Sequence, residues 1–549
     1  MSDDYTIKNE LPELDAESTK LLKDAQTLYN DFINGRMRAG NLPGEPDNSP
    51  RGKAVEKIKK VLEKYPDDPR PNFLLGSILH GMRELPSAEA VLSKIEGSNP
   101  NNFDLNRVLA EIRLERQDYP AVNLHIENMK KIDQTRPEIF EISAELARLR
   151  NDYPARLSSI EKLIDIMPLD ERLAVMMATT LAKMEKVDDA VEKLNEFAEK
   201  LPDSPEIHFH LANLLVDLQR STEALLIYRK TLKLNPDHNM ARFELAGLLD
   251  ELGKSEESLE LYKQYIEVIN EDPDGFYNAA GVAEKLENHE LAVQYYLRFL
   301  QLADEEEDFS EVIDWLNENA PGNIDDGELQ IALAHAYIQQ DFPDSAFHHL
   351  NEARGLGHEH RRVNHLEGLA YKLQENHENA VDSFKKALEF DDGADEDDFS
   401  DDEILISAGD SLIDLERYTE AEETALEIIK GEGMKEDGYT LLGDILLEKN
   451  KHEDAFTQFR NALRVDMFSF DGMFGLGEVF DAREDFKNAA TAFRLCLEID
   501  PDDEDAVYRL GMDYIRLGYK KWGEYYLRKY VNEYPDGEFI PEIQKIISE

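Results

Sequence analysis

The chain has 549 residues, 41% of them hydrophobic, and carries 117 acidic against 61 basic side chains, for a formal charge of -56 and a pI near 4.5. A surface so acidic repels phosphate backbones and anionic headgroups, so nucleic-acid binding is excluded from the expectations, and no run of 18 apolar residues predicts membrane insertion. A single cysteine, Cys496, leaves no intrachain disulfide or cysteine-rich zinc site, and MSDDYTIKNELPELD at the start lacks the apolar stretch of a secretory signal, so a cytoplasmic protein is expected.

Residues 1–15 are polar and acidic and are expected to be disordered. From 16 to 36, Leu21, Leu22, Ala25, Leu28, Tyr29 and Ile33 mark an amphipathic helix. RAGNLPGEPDNSP, residues 38–50, is a turn-forming loop, and residues 51–64 form a second helix. Residues 16–68 thus read as one divergent helical hairpin. The clearest hairpin is Ser204–Asp237. Pro205 suits a first helical position, Leu211, Ala212 and Leu215 share one face, and Arg220-Ser221-Thr222 reads as the turn. Ala224, Tyr228, Leu232 and Leu234 make the second stripe, and Asn235-Pro236-Asp237 ends it.

The hairpin recurs. Stepping by 34 from Ala224 meets Ala54, Ala88, Val122, Arg156, Ala190, Ser258 and Ala292. After one 54-residue step come Ala346 and Ala380, and after one 41-residue step Ala421, Ala455, Ala489 and Gly523. Twelve residues before each anchor, from the second repeat on, stand Gly76, Ala110, Ala144, Ala178, Ala212, Ala246, Ala280, Ala334, Gly368, Gly409, Gly443, Gly477 and Gly511. All are Gly or Ala, as close packing of two helices requires, and the anchor is expected to meet that small residue. The 34-residue period, these two small positions and proline near the thirty-second position (Pro66, Pro100, Pro168, Pro202, Pro236, Pro501 and Pro535) resemble the tetratricopeptide repeat. The resemblance covers about residues 51–537. It implies an all-α, right-handed superhelical solenoid of about fourteen helix–turn–helix repeats with one continuous core. Val122, Arg156, Ser258 and Gly523 depart from the anchor pattern, Arg156 most.

In chain order, repeats two to eight occupy 69–304, with Pro86, Pro120 and Pro154 each expected where the second helix of a hairpin begins. Residues 305–326 are an insertion holding one extra helix, with Phe309, Val312, Trp315 and Leu316 on its apolar face. Because the insertion breaks the period, two stacks meeting there are expected. Repeats nine and ten fill 327–394. An acidic linker, 395–401, lies within DDGADEDDFSDDE, which has nine acidic residues in thirteen. Repeats eleven to fourteen fill 402–537, and 538–549 reads as a closing helix.

No glycine-rich phosphate loop, nucleophile elbow or H-E-x-x-H helix is present, so no catalytic residue, cofactor or metal-ligand set is predicted. Six of fourteen histidines lie between 335 and 365, namely His335, His348, His349, His358, His360 and His365. Their spacing matches no known ligand set, and polar surface and turn positions account for them. NENAPGNIDDGE, ending at Glu328, approaches a calcium loop but has Pro321 at a ligand position.

The tetratricopeptide resemblance implies that the second, fifth, ninth and twelfth residues of each first helix line a concave groove. There, Phe209, Phe243 and Tyr277 stand at fifth positions beside Asn213, Gly247 and Gly281 at ninth positions. They form either a peptide groove or part of the core. The carboxylate clamp found in that family is incomplete, since Asn213 has no lysine at the fifth position of its repeat. Asp410, Asp444 and Glu478 at ninth positions, Asp437, Asp471 and Asp505 at second positions, Asp481 at a twelfth and Phe474 and Tyr508 at fifths predict an acidic groove for a Lys/Arg-containing segment. The function expected is a non-catalytic protein-interaction scaffold that binds protein or peptide partners. The alternatives are a chaperone or regulator in secretion or envelope assembly, the regulatory subunit of an enzyme, and a metal-binding protein using the histidines of 335–365.

Overall fold

The computed structural model describes residues 13–34, 49–303, 309–319, 326–390, 400–431, 433–535 and 537–548. The expectations made for 1–12, for most of the 38–50 loop and for most of the acidic linker lie outside these residues. Among the described residues there are thirty α-helices and no strand. In chain order they pair into fourteen hairpins, with Ser310–Asn319 between the eighth and ninth and Ile540–Ser548 after the last. The first and second helices of each hairpin are called A and B below.

Each hairpin is built from local signals. In repeat six, Ser204 caps helix A (Pro205–Asp217) by accepting the N–H of Ile207, with proline in the first turn. Helix B (Ser221–Leu234) begins inside the turn expected at Arg220-Ser221-Thr222, two residues earlier than that turn allows. The turn itself is Leu218–Gln219–Arg220, with Gln219 at φ +59°. Gln219 N–H donates to Val216 and Arg220 N–H to Leu215, 2.7 and 2.8 Å, which satisfies carbonyls left over at the helix end. Pro86, Pro120 and Pro154 sit in the first turn of their B helices, where no partner for their missing N–H is needed.

All thirteen small positions of the A helices are buried, and so are thirteen of the fourteen anchors. Arg156 is the exception. It is half-buried, and desolvation together with the charge of Arg148 lowers its pKa. A Cβ on the anchor Gly523 would lie 2.8 Å from the Gly511 carbonyl oxygen, so that anchor meets its small residue as expected. Four of the small A-helix residues also face the large residue one turn beyond the anchor, Gly76 with Leu92, Gly368 with Phe384, Gly477 with Phe493 and Gly511 with Leu527. A Cβ on Gly477 would lie 2.7 Å from Phe493 Cε1, so the ring occupies the space a side chain would need.

The helices group into two compact units, Met1–Pro168 with Leu446–Glu549, and Leu169–Ile445. The expected division at 305–326 is therefore corrected. Ser310–Asn319 lies inside the second unit, and Phe309, Val312, Ile313 and Leu316 share one core with Phe299 and Leu300 before them and Leu329 and Leu333 after. That apolar face fills the gap in the repeat register and keeps the core continuous.

Candidate functional site

Repeats six to eight belong to the second unit and carry the aromatic row. Its members are not equivalent. Phe209 is buried, with its ring 4.8 Å from His238 and 6.3 Å from Tyr228. Phe243 is half-buried between Tyr262 and Tyr265, at 5.5 and 5.1 Å. Tyr277 is 40% exposed and rests its ring edge on Tyr296 and Phe299. The row thus opens progressively toward repeat eight. Phe209 is core, which corrects its placement in an open groove.

The ninth positions explain themselves by a second row, Tyr228, Tyr262 and Tyr296, on the B helices. Tyr228 Oη donates to Asn213 Oδ1 at 2.7 Å. A Cβ on Gly247 would lie 3.3 Å from Tyr262 Oη, and one on Gly281 4.0 Å from Tyr296 Oη. Burial raises the pKa of all three phenols. The small residues therefore admit tyrosine tips, and they still remain partly exposed themselves. Met240, at the second position of repeat seven, adds a side chain 51% exposed.

The acids expected to form one stripe divide between the two units. In the second unit, Asp410 accepts from Lys372 Nζ at 2.8 Å, and desolvation raises the pKa of Asp437. Asp444 is half-buried on the helix Lys435–Glu448. In the first unit, Glu478 pairs with Arg509 at 2.9 Å, and Asp481 with Arg516 at 2.6 Å and Arg509 at 3.9 Å. Phe474 lies against Phe470 and Phe493 and under the Arg509 guanidinium, 5.7 Å from its ring centre. Tyr508 stacks on Phe539 at 3.9 Å. Asp471 and Asp505 occupy the first turns of their A helices, where a carboxylate favours the helix dipole. Arginines and a C-terminal aromatic of this chain thus take up much of what was expected to face a basic partner, and the bare anionic groove is corrected accordingly.

The six histidines do not share one site. His335 is half-buried and His365 buried, with pKa values pushed down to about 4 and about 3, first by desolvation. His349 stacks on Tyr337 at 5.2 Å and its Nδ1 lies 2.7 Å from Gln330 Oε1. His348 projects beside it. His358 and His360 lie in the turn before the helix Arg361–Leu373.

Sequence reasoning missed a polar and aromatic contact inside the first unit. Trp522 is 3% exposed, and its Nε1–H donates to Glu89 Oε2 at 2.9 Å, across 433 residues of sequence. Glu89 Oε1 accepts from Arg113 and Arg116, at 3.1 and 2.9 Å, and Arg116 lies over the Trp522 ring. Tyr519 Oη is 3.2 Å from Ser87 Oγ. Burial and the charge of Arg113 push His125 down to about 4, so it stays neutral beside these arginines. The available signal was the aromatic density of KKWGEYYLRKY in repeat fourteen.

Among the described residues, no helix is long and apolar enough to cross a membrane. A family model described as tetratricopeptide repeat matches residues 175–237, 211–276 and 440–504, and a second of the same description matches 362–393. No curated protein matches in sequence. The similar solved structures include a Naa15/Naa10 assembly bound to HypK-THB, at 11% identity over 97% of this chain and 96% of that one, TM-score 0.42. They also include the APC/C hetero-tetramer Cut9-Hcn1, at 12% identity over 97% and 98%, TM-score 0.37. A third is PilF of Pseudomonas aeruginosa, at 16% identity over 41% of this chain and 99% of that one, TM-score 0.33.

Proposed function

This chain belongs to the tetratricopeptide repeat proteins, and from that we propose that it is a non-catalytic cytoplasmic scaffold holding polypeptide partners on the A helices of repeats six to eight. The observation that carries the reading is the half-open strip of Phe243, Gly247, Tyr277 and Gly281. There, two aromatic rings sit beside two positions without side chains, at equal register in consecutive repeats. Aromatic rings held rigidly by a second shell of tyrosines lose little freedom on binding, which suits them as anchors. The missing side chains at 247 and 281 let a main chain approach. A segment with an apolar anchor and flanking Lys or Arg complements a protein of charge -56.

Selection of a random displayed peptide library against the full chain tests this. Peptides should emerge that bind the wild type and lose affinity at least about tenfold to Tyr277→Ala and to Gly281→Arg, since one anchor carries of order 1.4 kcal/mol or more. Selected peptides that bind both variants as tightly as the wild type would overturn the assignment.

A further inference from the structure

Three ligand-type side chains converge in the second unit at a place the aromatic strip does not use. Glu328 stands in the first turn of the helix Asp326–Gln339, and His358 and His360 flank Glu359 in the turn between Pro343–Gly355 and Arg361–Leu373. One ligand atom from each of the three lies within 4.8 Å of the other two. Glu328 Oε1 is 3.5 Å from His358 Nδ1 and 3.8 Å from His360 Nε2. Ligand atoms about 2.0–2.1 Å from a tetrahedral zinc ion are roughly 3.3–3.4 Å apart, close to the two carboxylate–imidazole separations here.

The local structure spends itself on this arrangement. Position 32 of a repeat, proline in seven others, is His358 here. Gly357 at φ +99° turns the chain, and His358 N–H donates to Ala353 at 3.0 Å. The intervening Glu359 is drawn aside by Arg354 at 2.7 Å and Asn364 at 3.1 Å. Gly327 lies against the His358 ring so closely that any Cβ would overlap it. His360 is the N-cap of its helix yet makes no side-chain cap bond, whereas Ser204, His238, Asp272 and Asp503 at the same register all accept one from their own helices. Its ring is directed to Glu328 instead. The other oxygen, Glu328 Oε2, lies 3.8 Å from Arg362 Nη1, which orients the carboxylate with Oε1 toward the imidazoles. Repeats six and seven supply an internal contrast. His238 Nε2 is 3.4 Å from Glu206 Oε1 in the same register, but the thirty-second position there is Pro236 and no second histidine joins.

We propose that Glu328, His358 and His360 bind one divalent transition-metal ion of the zinc class, with a fourth position open to solvent. Two imidazoles and one carboxylate suit zinc rather than calcium or magnesium, which take oxygen ligands. All three side chains are half-buried, so the ion has a route in and a low-dielectric wall behind it.

The test is equilibrium dialysis of the full, tag-free chain against Zn2+ after chelator treatment, with metal analysis, and Co2+ absorption in parallel. One equivalent of zinc should bind, and cobalt should give the intense visible bands of a four-coordinate site. His358→Ala, His360→Ala and Glu328→Gln should each weaken binding by at least the roughly tenfold typical of even outer-shell changes. His238→Ala should leave it unchanged. His360→Gln, with thermal unfolding of the metal-free protein as a check on folding, separates ligand loss from misfolding. Substoichiometric zinc in the wild type, or binding that survives His358→Ala with His360→Ala, would overturn the site.

Discussion

Among the described residues, the backbone passes through the left-handed region at thirteen turns between A and B helices, and at eleven of them the residue is not glycine. A side chain there costs about 1–2 kcal/mol, partly offset by the larger entropy that glycine loses on folding. Gln219→Gly should therefore stabilise the protein by about 0.5–1 kcal/mol in urea unfolding, and Gly253→Gln should do the reverse. A destabilised Gln219→Gly would show that the Gln219 side chain holds the turn in some other way. Asp513 makes a second residue-scale case. It is fully buried, with Oδ1 3.1 Å from Arg516 Nη1 and Oδ2 without a hydrogen bond among the described residues. Desolvation first, and Asp481 second, push its pKa up to about 7, against the pull of Arg516. An acid whose folded pKa is raised holds its proton after the unfolded chain has lost its own. Stability is therefore lost as pH rises from about 4 to about 7 and stays lost above. Asp513→Asn should thus gain about 1–3 kcal/mol at pH 8 and nothing at pH 4. A gain equal at both values would contradict a titration effect. Neither feature is legible in the chain itself. The left-handed position is filled by Arg, Gln, Asn, Glu or Asp as readily as by glycine, and Asp513 looks like any acid on an acidic helix.

Hairpins were readable from sequence because small residues and prolines recur at fixed register. The further partner one turn beyond the anchor was not, because the same spacing places both the anchor and that residue opposite the small one. Side-chain volume decides. Phe384 and Phe493 need glycine across from them, whereas Tyr228 and Tyr262 leave room for alanine and send their hydroxyls to the ninth position. The contact of helix Lys520–Glu533 with helix Leu85–Glu96 lay further from view, since no local period links residues 433 apart. Trp522→Ala should cost about 3–5 kcal/mol, as for a buried aromatic. It should also lower amide protection in Leu85–Glu96, which a purely local role would leave unchanged. Trp522→Phe keeps the packing and removes only the donor to Glu89, so a loss near 1–2 kcal/mol is expected.

Across the whole molecule, the period reports the fold and hides the function. Core and surface share one register, so a fifth-position aromatic is equally consistent with either until its neighbours are known. The acidic alignment failed as a guide for a related reason. In a chain with 117 acids, equal register is common, and its own Arg509, Arg516 and Lys372 occupy Glu478, Asp481 and Asp410. What remains distinctive is the open aromatic strip of repeats seven and eight. Its use is tested most directly by placing a photo-crosslinking amino acid at position 277 in the intact protein in its host cells, with a control at Leu226, a B-helix residue 61% exposed. The scaffold reading predicts discrete polypeptide adducts from position 277 that are absent from position 226 and abolished by Gly281→Arg. Equal adducts from both positions, or none from 277, would contradict it.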